Sequence, residues 1–282
     1  MRLTDTYPHR RAFVTGAASG LGRAFCHHLA AEGWTLCMAD IDGMRLQEAA
    51  EAIEQRGGTA HPVDLDVSEG AAVQAVADEF VADVGGIDLV INNAGIGAGG
   101  AFTETSLEDW RHVMDVNLMG VVHGCKAFAE PLQANGGGHL INIASIAAIA
   151  AAPRMSVYNT AKAGVLALSE TLYSELHDAN VHVAVALPHF FETNIAQSMR
   201  GPDADRQIAE HLMNRSEASA DEVARYILKE AGRGTIHITY PFEAKVAWHW
   251  KRLLPTHYVK SMIKRFRSSL RFVDRFRASD DA

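Results

Sequence analysis

Tyr158 and Lys162 stand four residues apart at the start of a segment with helical periodicity, carried on by Leu166, Leu168 and Leu172. Four residues is just over one helical turn, so both side chains share a face. An ammonium beside a phenol favours the phenolate, and the tyrosine pKa is expected to fall from its usual value of about 10. A tyrosine tuned toward neutrality gives or takes a proton at a substrate oxygen. Ser145 follows the apolar run 140–144, which reads as a buried strand ending in a turn, and its hydroxyl can hydrogen-bond that oxygen. The chemistry implied is acid/base work on a carbonyl or an alcohol. Tyr-x-x-x-Lys alone also describes an ordinary solvated helix face, so the elements that position these groups decide its meaning.

Those elements alternate. Residues 11–15 form a short apolar strand that runs into a glycine turn, Gly16 to Gly22, and then a helix through Phe25 and Leu29. Strand, glycine turn and helix together are the setting in which a backbone approaches a diphosphate and a helix N-terminus receives it. Gly16, Ser19, Gly20, Leu21 and Gly22 are the candidates for that contact. A second strand, 35–39, ends at Asp40, about twenty residues on, where a dinucleotide fold places the group that binds the adenosine ribose. An acid there repels a 2′-phosphate and favours NAD over NADP. A helix N-cap role for the same carboxylate, alone or shared with Asp42, stays open. A third strand, 60–65, leads to Asp66 and Val67, and a helix follows over 69–84. The fourth strand, 87–91, opens into Asn92-Asn93-Ala94-Gly95.

This order predicts an α/β fold: a Rossmann-type, doubly wound parallel sheet in one domain. Gly16, Asp40, Asp66, Asn93 and Ser145 all fall at carboxyl ends of expected strands, where such a sheet binds its ligand. Residues 105–135 read as one long helix with Asn117 in its middle, as a surface residue or at a small bend. A sixth strand, 181–187, ends at Pro188. Phe190, Phe191, Thr193, Ile195 and Met199 then form an apolar segment suited to a lid. Ser219 and Glu222 have the spacing of a capping box, and 235–240 is the last strand.

Composition bounds the possibilities. The chain has 282 residues, 48% hydrophobic, enough for a large core. A net charge of −8 argues against nucleic acid as partner. Three cysteines, Cys26, Cys37 and Cys125, lie in apolar segments and fit reduced, buried thiols. The fourteen histidines show no metal-ligand spacing, so no metal is expected. No signal core and no long apolar run is visible, and a cytoplasmic location is expected.

The charge is uneven. From Pro241 onward ten Lys/Arg face four Asp/Glu, a balance of +6, which leaves −14 on the rest. The chain therefore divides into a dinucleotide-binding catalytic region, 1–241, and a basic amphipathic helical extension, 242–282. Two helical pieces are expected there, 243–254 and 256–275, split by Pro255. Val259, Met262, Ile263, Phe266, Leu270 and Val273 recur at helical spacing, with the basic residues mostly off that stripe. Such a helix docks on the acidic body, on a second subunit or on an anionic membrane surface. Trp248 and Trp250 are candidates to face the substrate opening.

These residues resemble the short-chain dehydrogenase/reductase family over residues 8–241, with the glycine spacing of its compact members. The matching elements are Thr15-Gly16-Ala17-Ala18-Ser19-Gly20-Leu21-Gly22, Asn92-Asn93-Ala94-Gly95, Asn117, Ser145, Tyr158-Asn159-Thr160-Ala161-Lys162, and Pro188 with Thr193. The resemblance implies a tetrad of Asn117, Ser145, Tyr158 and Lys162. Tyr158 would be the general acid/base, and Ser145 would orient the substrate oxygen. Lys162 would lower the Tyr158 pKa and hold the nicotinamide ribose, and Asn117 would support a water linking Lys162 to solvent. Two departures, His189 after Pro188 and Ala147-Ala148 after the serine, stand where the family usually has glycine and add bulk on the substrate side. Ile96, Ile146, Met155, His189, Phe190 and Phe191 are the candidates for that side and point to a lipophilic secondary alcohol or ketone. Two alternatives remain: NADP-dependent carbonyl reduction with Arg45 or another base meeting the phosphate, and a non-catalytic NAD(H) sensor. Related proteins pair as dimers or tetramers through the helices that here hold Asn117 and Tyr158.

Overall fold

The computed structural model describes residues 3–191, 195, 198–216, 218–264 and 266–267. Thr193, Leu270 and Val273 lie outside these residues.

Seven strands form one parallel sheet: β1 (Arg11–Thr15), β2 (Thr35–Asp40), β3 (Thr59–Asp64), β4 (Leu89–Asn92), β5 (Gly138–Ile143), β6 (Val181–Pro188) and β7 (His237–Tyr240). Their spatial order is β3-β2-β1-β4-β5-β6-β7, so the winding reverses between β1 and β4. The central strands β1, β4 and β5 are buried on both faces, as predominantly apolar runs require in a sheet covered by helices on each side. β3 lies at an edge, which is why Pro62 is tolerated within it.

Alternate residues feed opposite faces. Val14, Leu36, Met38, Ile91 and Ile141 pack with α2 (Gly20–Ala31), α3 (Gly43–Glu54) and, farther along the chain, the helix Ala220–Ala231. Phe13, Cys37, Val90, Leu140 and Val183 pack on the other face, against α4 (Gly70–Val84), the helix Gly120–Ala134 and the helix Ser156–Glu175. A short helix, α1 (Leu3–Thr6), precedes β1. All three cysteines are free and buried.

The segment between β4 and β5 corrects the sequence reading. It consists of α5 (Leu107–Met114), a wide π-turn (Asp115–Met119) and α6 (Gly120–Ala134). Asn117 sits in the π-turn and is fully buried, so it is neither a surface residue nor at a simple bend. The extra residue of a π-turn aims a side chain that an unbroken helix would misdirect. After β5 come a single turn, α7 (Ala147–Ala150), and α8 (Ser156–Glu175). After β6 come α9 (Asp203–Asn214) and α10 (Ala220–Ala231), the latter with the expected capping box of Ser219 and Glu222.

α11 (Phe242–Leu253) follows β7 and inserts Ala244 and Trp248 into the core. α12 begins at Pro255 and is helical over 255–264. Proline at a first helical position loses no hydrogen bond, so Pro255 starts the second helix as well as ending the first. None of the described helices is long and apolar enough to cross a membrane.

Candidate active site

The carboxyl ends of the strands open into one cavity of 1310 Å³ that runs from Asp40 and Arg45 past Ser145 and Tyr158 to Tyr258. A drug-sized ligand takes roughly 300–1,000 Å³, so a dinucleotide and a second molecule have room together. The cavity begins where the order of strands reverses, which is where an open α/β sheet leaves a crevice.

The glycine turn shapes one end. Gly16 adopts φ +67°, and a Cβ on Gly22 would stand 1.9 Å from the Gly16 carbonyl oxygen. Only glycines let the turn fold this tightly under α2. Ser19 is the N-cap residue but makes no capping bond with its side chain, so the first N–H groups of α2 have no helical partner. This is a cradle for an anion. The Asp40 carboxylate accepts from the Ala18 N–H (2.9 Å) and the Asp42 N–H (3.0 Å), which ties the glycine turn to β2. Helix capping falls to Asp42, which accepts from the Arg45 N–H. Asp66 spends one oxygen on the backbone and hydroxyl of Ser68. Asn93 is mostly a stitch: its amide donates to the Thr15 carbonyl at 2.9 Å, while the N–H groups of Asn93 and Ala94 donate to the Thr15 hydroxyl. These contacts hold β1 and β4 at the width of the crevice.

The chemical groups converge in the middle. Lys162 reaches past the Tyr158 ring, with Nζ 5.8 Å from its centroid, and donates to the Ile143 carbonyl at 3.0 Å. Ser145 hydrogen-bonds Tyr158 and accepts from the Ala147 N–H. Asn117 accepts from the Ile96 N–H and donates to the Ile96 carbonyl, both at 2.8 Å. A Cβ on Gly95 would fall 2.9 Å from Asn117 Oδ1 and 3.3 Å from Lys162 Nζ, so the two polar side chains meet over that glycine.

The pKa expectation for Tyr158 is overturned. Burial raises it above the ordinary tyrosine value, with the Ser145 hydrogen bond acting against the rise. Burial lowers Lys162 to about 8. Both groups are enclosed, so desolvation penalises the charged form of each. The lysine lies beside the ring, anchored to the Ile143 carbonyl.

The far end is apolar. Ile96, Ile146, Met155, His189, Phe190 and Phe191, the residues expected on the substrate side, all line the cavity. α9 and α12 complete the wall with Ile208, Leu212, Met213, Tyr258, Met262 and Phe266, none of which had been linked to the site. The i, i+4 spacing of Ile208 with Leu212 was the available signal. Neither Trp248 nor Trp250 lines the cavity; Ala247 does. Trp248 stacks on His237 at 4.6 Å beneath Arg252, and Trp250 packs edge-on to Tyr258. A clamp also went unforeseen. Arg154 makes two bonds to Asp205 of α9, at 2.7 and 2.6 Å, and its carbonyl accepts from Gly100. Arg200 bridges to Gly97 and Gly99 on the same loop.

A family model for short chain dehydrogenases matches residues 10–203. The chain belongs to the short-chain dehydrogenase family. The chain is 41% identical over 197 residues to the probable oxidoreductase EphD of Mycobacterium tuberculosis, a match covering 69% of this chain and 33% of that one. The chain thus spans about a third of that relative's length. It is 35% identical over 223 residues to 3beta-hydroxysteroid dehydrogenase 1 of Eggerthella lenta, covering 77% and 84% of the two chains. Among solved structures, a short-chain dehydrogenase/reductase from Burkholderia phymatum in complex with NAD superposes with a TM-score of 0.82 at 33% identity, covering 87% of this chain and 95% of that one. The fold and the strand-end cavity are those of a chain of this family, and α9 and α12 wall one end of that cavity.

Proposed function

We propose that the protein interconverts a lipophilic secondary alcohol and its ketone with NAD(H). The observation that carries this is the single cavity in which the glycine cradle, Asp40, the Ser145–Tyr158–Lys162 group and an apolar end lie in sequence. The nicotinamide ring, when bound, donates or accepts the hydride. The chain does the rest. The turn Gly16 to Gly22 and the first turn of α2 hold the diphosphate, and Asp40 holds the adenosine ribose with an acid that disfavours a 2′-phosphate. Arg45, the alternative contact for that phosphate, leans toward Asp42 at 3.4 Å. Asp66, Val67, Asn93, Ala94, Gly95 and Pro188 line the same cavity and would complete the cofactor side. Lys162, which meets Asn117 over Gly95, would hold the nicotinamide ribose.

Ser145 and Tyr158 take the substrate oxygen. A Tyr158 held above the ordinary value is neutral at pH 7 and is ready to donate a proton to a carbonyl oxygen. Reduction should therefore persist into alkaline solution, while oxidation, which needs the deprotonated tyrosine, should accelerate as pH rises. Asn117 braces the loop at Ile96, and its remaining lone pair is free to support a water beside Lys162. A homodimer or homotetramer through α6 and α8 fits the same reading.

Tyr158→Phe tests it. Turnover of a panel of secondary alcohols and ketones should fall by about 10²–10⁴-fold, with NADH binding unchanged. Full turnover in that variant would sink the mechanism. Tighter binding of NADPH than NADH by the parent protein would sink the role of Asp40.

A further inference from the structure

α12 has two apolar faces, and the cavity uses one. Tyr258 and Met262, four residues apart, are buried and line the cavity with Phe266. Val259 and Ile263, also four apart, point outward, and each is 53% exposed. Leu253 and Leu254, at the joint between α11 and α12, are 77% and 51% exposed. The stripe read from the sequence is thus divided between an inner wall and an outer surface. One exposed leucine is ordinary on a soluble protein, whereas four large aliphatic side chains within eleven residues form a feature that needs a partner.

The charge around them indicates which partner. At 100° per residue, Val259 and Ile263 are 40° apart, and Arg267, Lys260 and Lys264 follow around the same outer side of the helix. None of these three cations forms an ion pair among the described residues, unlike Arg252, which reaches Glu170. Residues 242–267 hold seven Lys/Arg and one Asp/Glu. An apolar edge beside a row of unpaired cations is the pattern of a helix lying in a lipid headgroup region, with aliphatic side chains below the headgroups and cations against the phosphates.

We propose that the outer face of the α11–α12 pair docks on an anionic lipid bilayer. The inner face of the same helix walls the apolar end of the cavity, so docking would set that end against the lipid phase. The docking stands on exposure and charge, whatever the substrate proves to be. Its bearing on catalysis rests on the function proposed above.

The test is co-sedimentation of the full chain with phosphatidylcholine vesicles, with and without phosphatidylglycerol, at low and high salt. Binding is expected with phosphatidylglycerol at low salt, weakening with added salt as screened charges require. Val259→Glu/Ile263→Glu should weaken binding more than tenfold, and Lys260→Glu/Lys264→Glu should do the same. Neither pair touches the cavity, so NADH binding and the melting temperature should match the parent. A parent chain that fails to sediment with phosphatidylglycerol vesicles at low salt overturns the proposal. So does a folded Val259→Glu/Ile263→Glu variant that binds as well as the parent. A third refutation would be self-association that the same variant abolishes, with no vesicle binding, since the face would then be a contact between copies. Failure here leaves the reaction untouched, because Tyr158→Phe reads the reaction without vesicles.

Discussion

Replacing Asn117 by alanine removes two hydrogen bonds of 2.8 Å from the backbone of one residue, Ile96. The N–H and the carbonyl of Ile96 both lose their partner while Asn117's place stays fully buried. An orphaned buried group costs about 1–3 kcal/mol, and Ile96 is partly exposed, so one of the two can recover a water; the net loss is about 1–3 kcal/mol. For a domain of this size that is a fall in melting temperature of about 2–12 °C. The loop from Asn93 to Ile96 lines the cavity where the proposed function seats the cofactor, so NADH affinity should drop with it. Asn117→Asp refines the test. A carboxylate still accepts from the Ile96 N–H but opposes the Ile96 carbonyl oxygen, whereas the protonated acid can donate to it. Its folded pKa should therefore be raised, and the stability it recovers in acid should be lost as pH rises through that pKa. Thermal melts across pH, paired with NADH fluorescence titration, read both effects. An alanine variant that melts with the parent and binds NADH equally well would refute the brace.

Three other outcomes follow from the geometry. Gly22→Ala would drive a Cβ into the Gly16 carbonyl, and the forced shift of the turn should weaken NADH binding at least tenfold in a calorimetric titration. His139 is buried, accepts from the Tyr7 hydroxyl at 2.6 Å and donates to the Ala231 carbonyl, and burial holds its pKa down to about 4. The unfolded chain takes up that proton near pH 6.5 and the folded chain refuses it until about 4, so stability should fall as pH drops through this window; urea melts of His139→Gln should show a flatter acid limb. Asp205→Ala unclasps Arg154 from α9 and should raise the substrate KM while leaving NADH affinity as it was, which steady-state kinetics with a separate NADH titration would read.

The sequence by itself determined the sheet, the glycine turn and the Ser145, Tyr158 and Lys162 positions. Each rests on local rules: alternation of apolar strands with amphipathic helices, backbone freedom at Gly16, and the four-residue repeat of a helix face. The position of Asp40 at the end of β2 was legible for the same reason, because a strand of fixed length delivers its last side chain to a fixed place. Other features depended on neighbours distant in the chain. The π-turn at Asn117 is favoured by the two bonds to Ile96, twenty-one residues away, which no window around Asn117 contains. The sign of the Tyr158 pKa shift depended on enclosure, and spacing alone cannot tell a lysine beside a wet phenol from one beside a buried ring. The division of the α12 stripe was likewise hidden. Val259 and Met262 are equally apolar in sequence, and only the packing of the helix over the cavity turned Met262 inward and left Val259 to solvent.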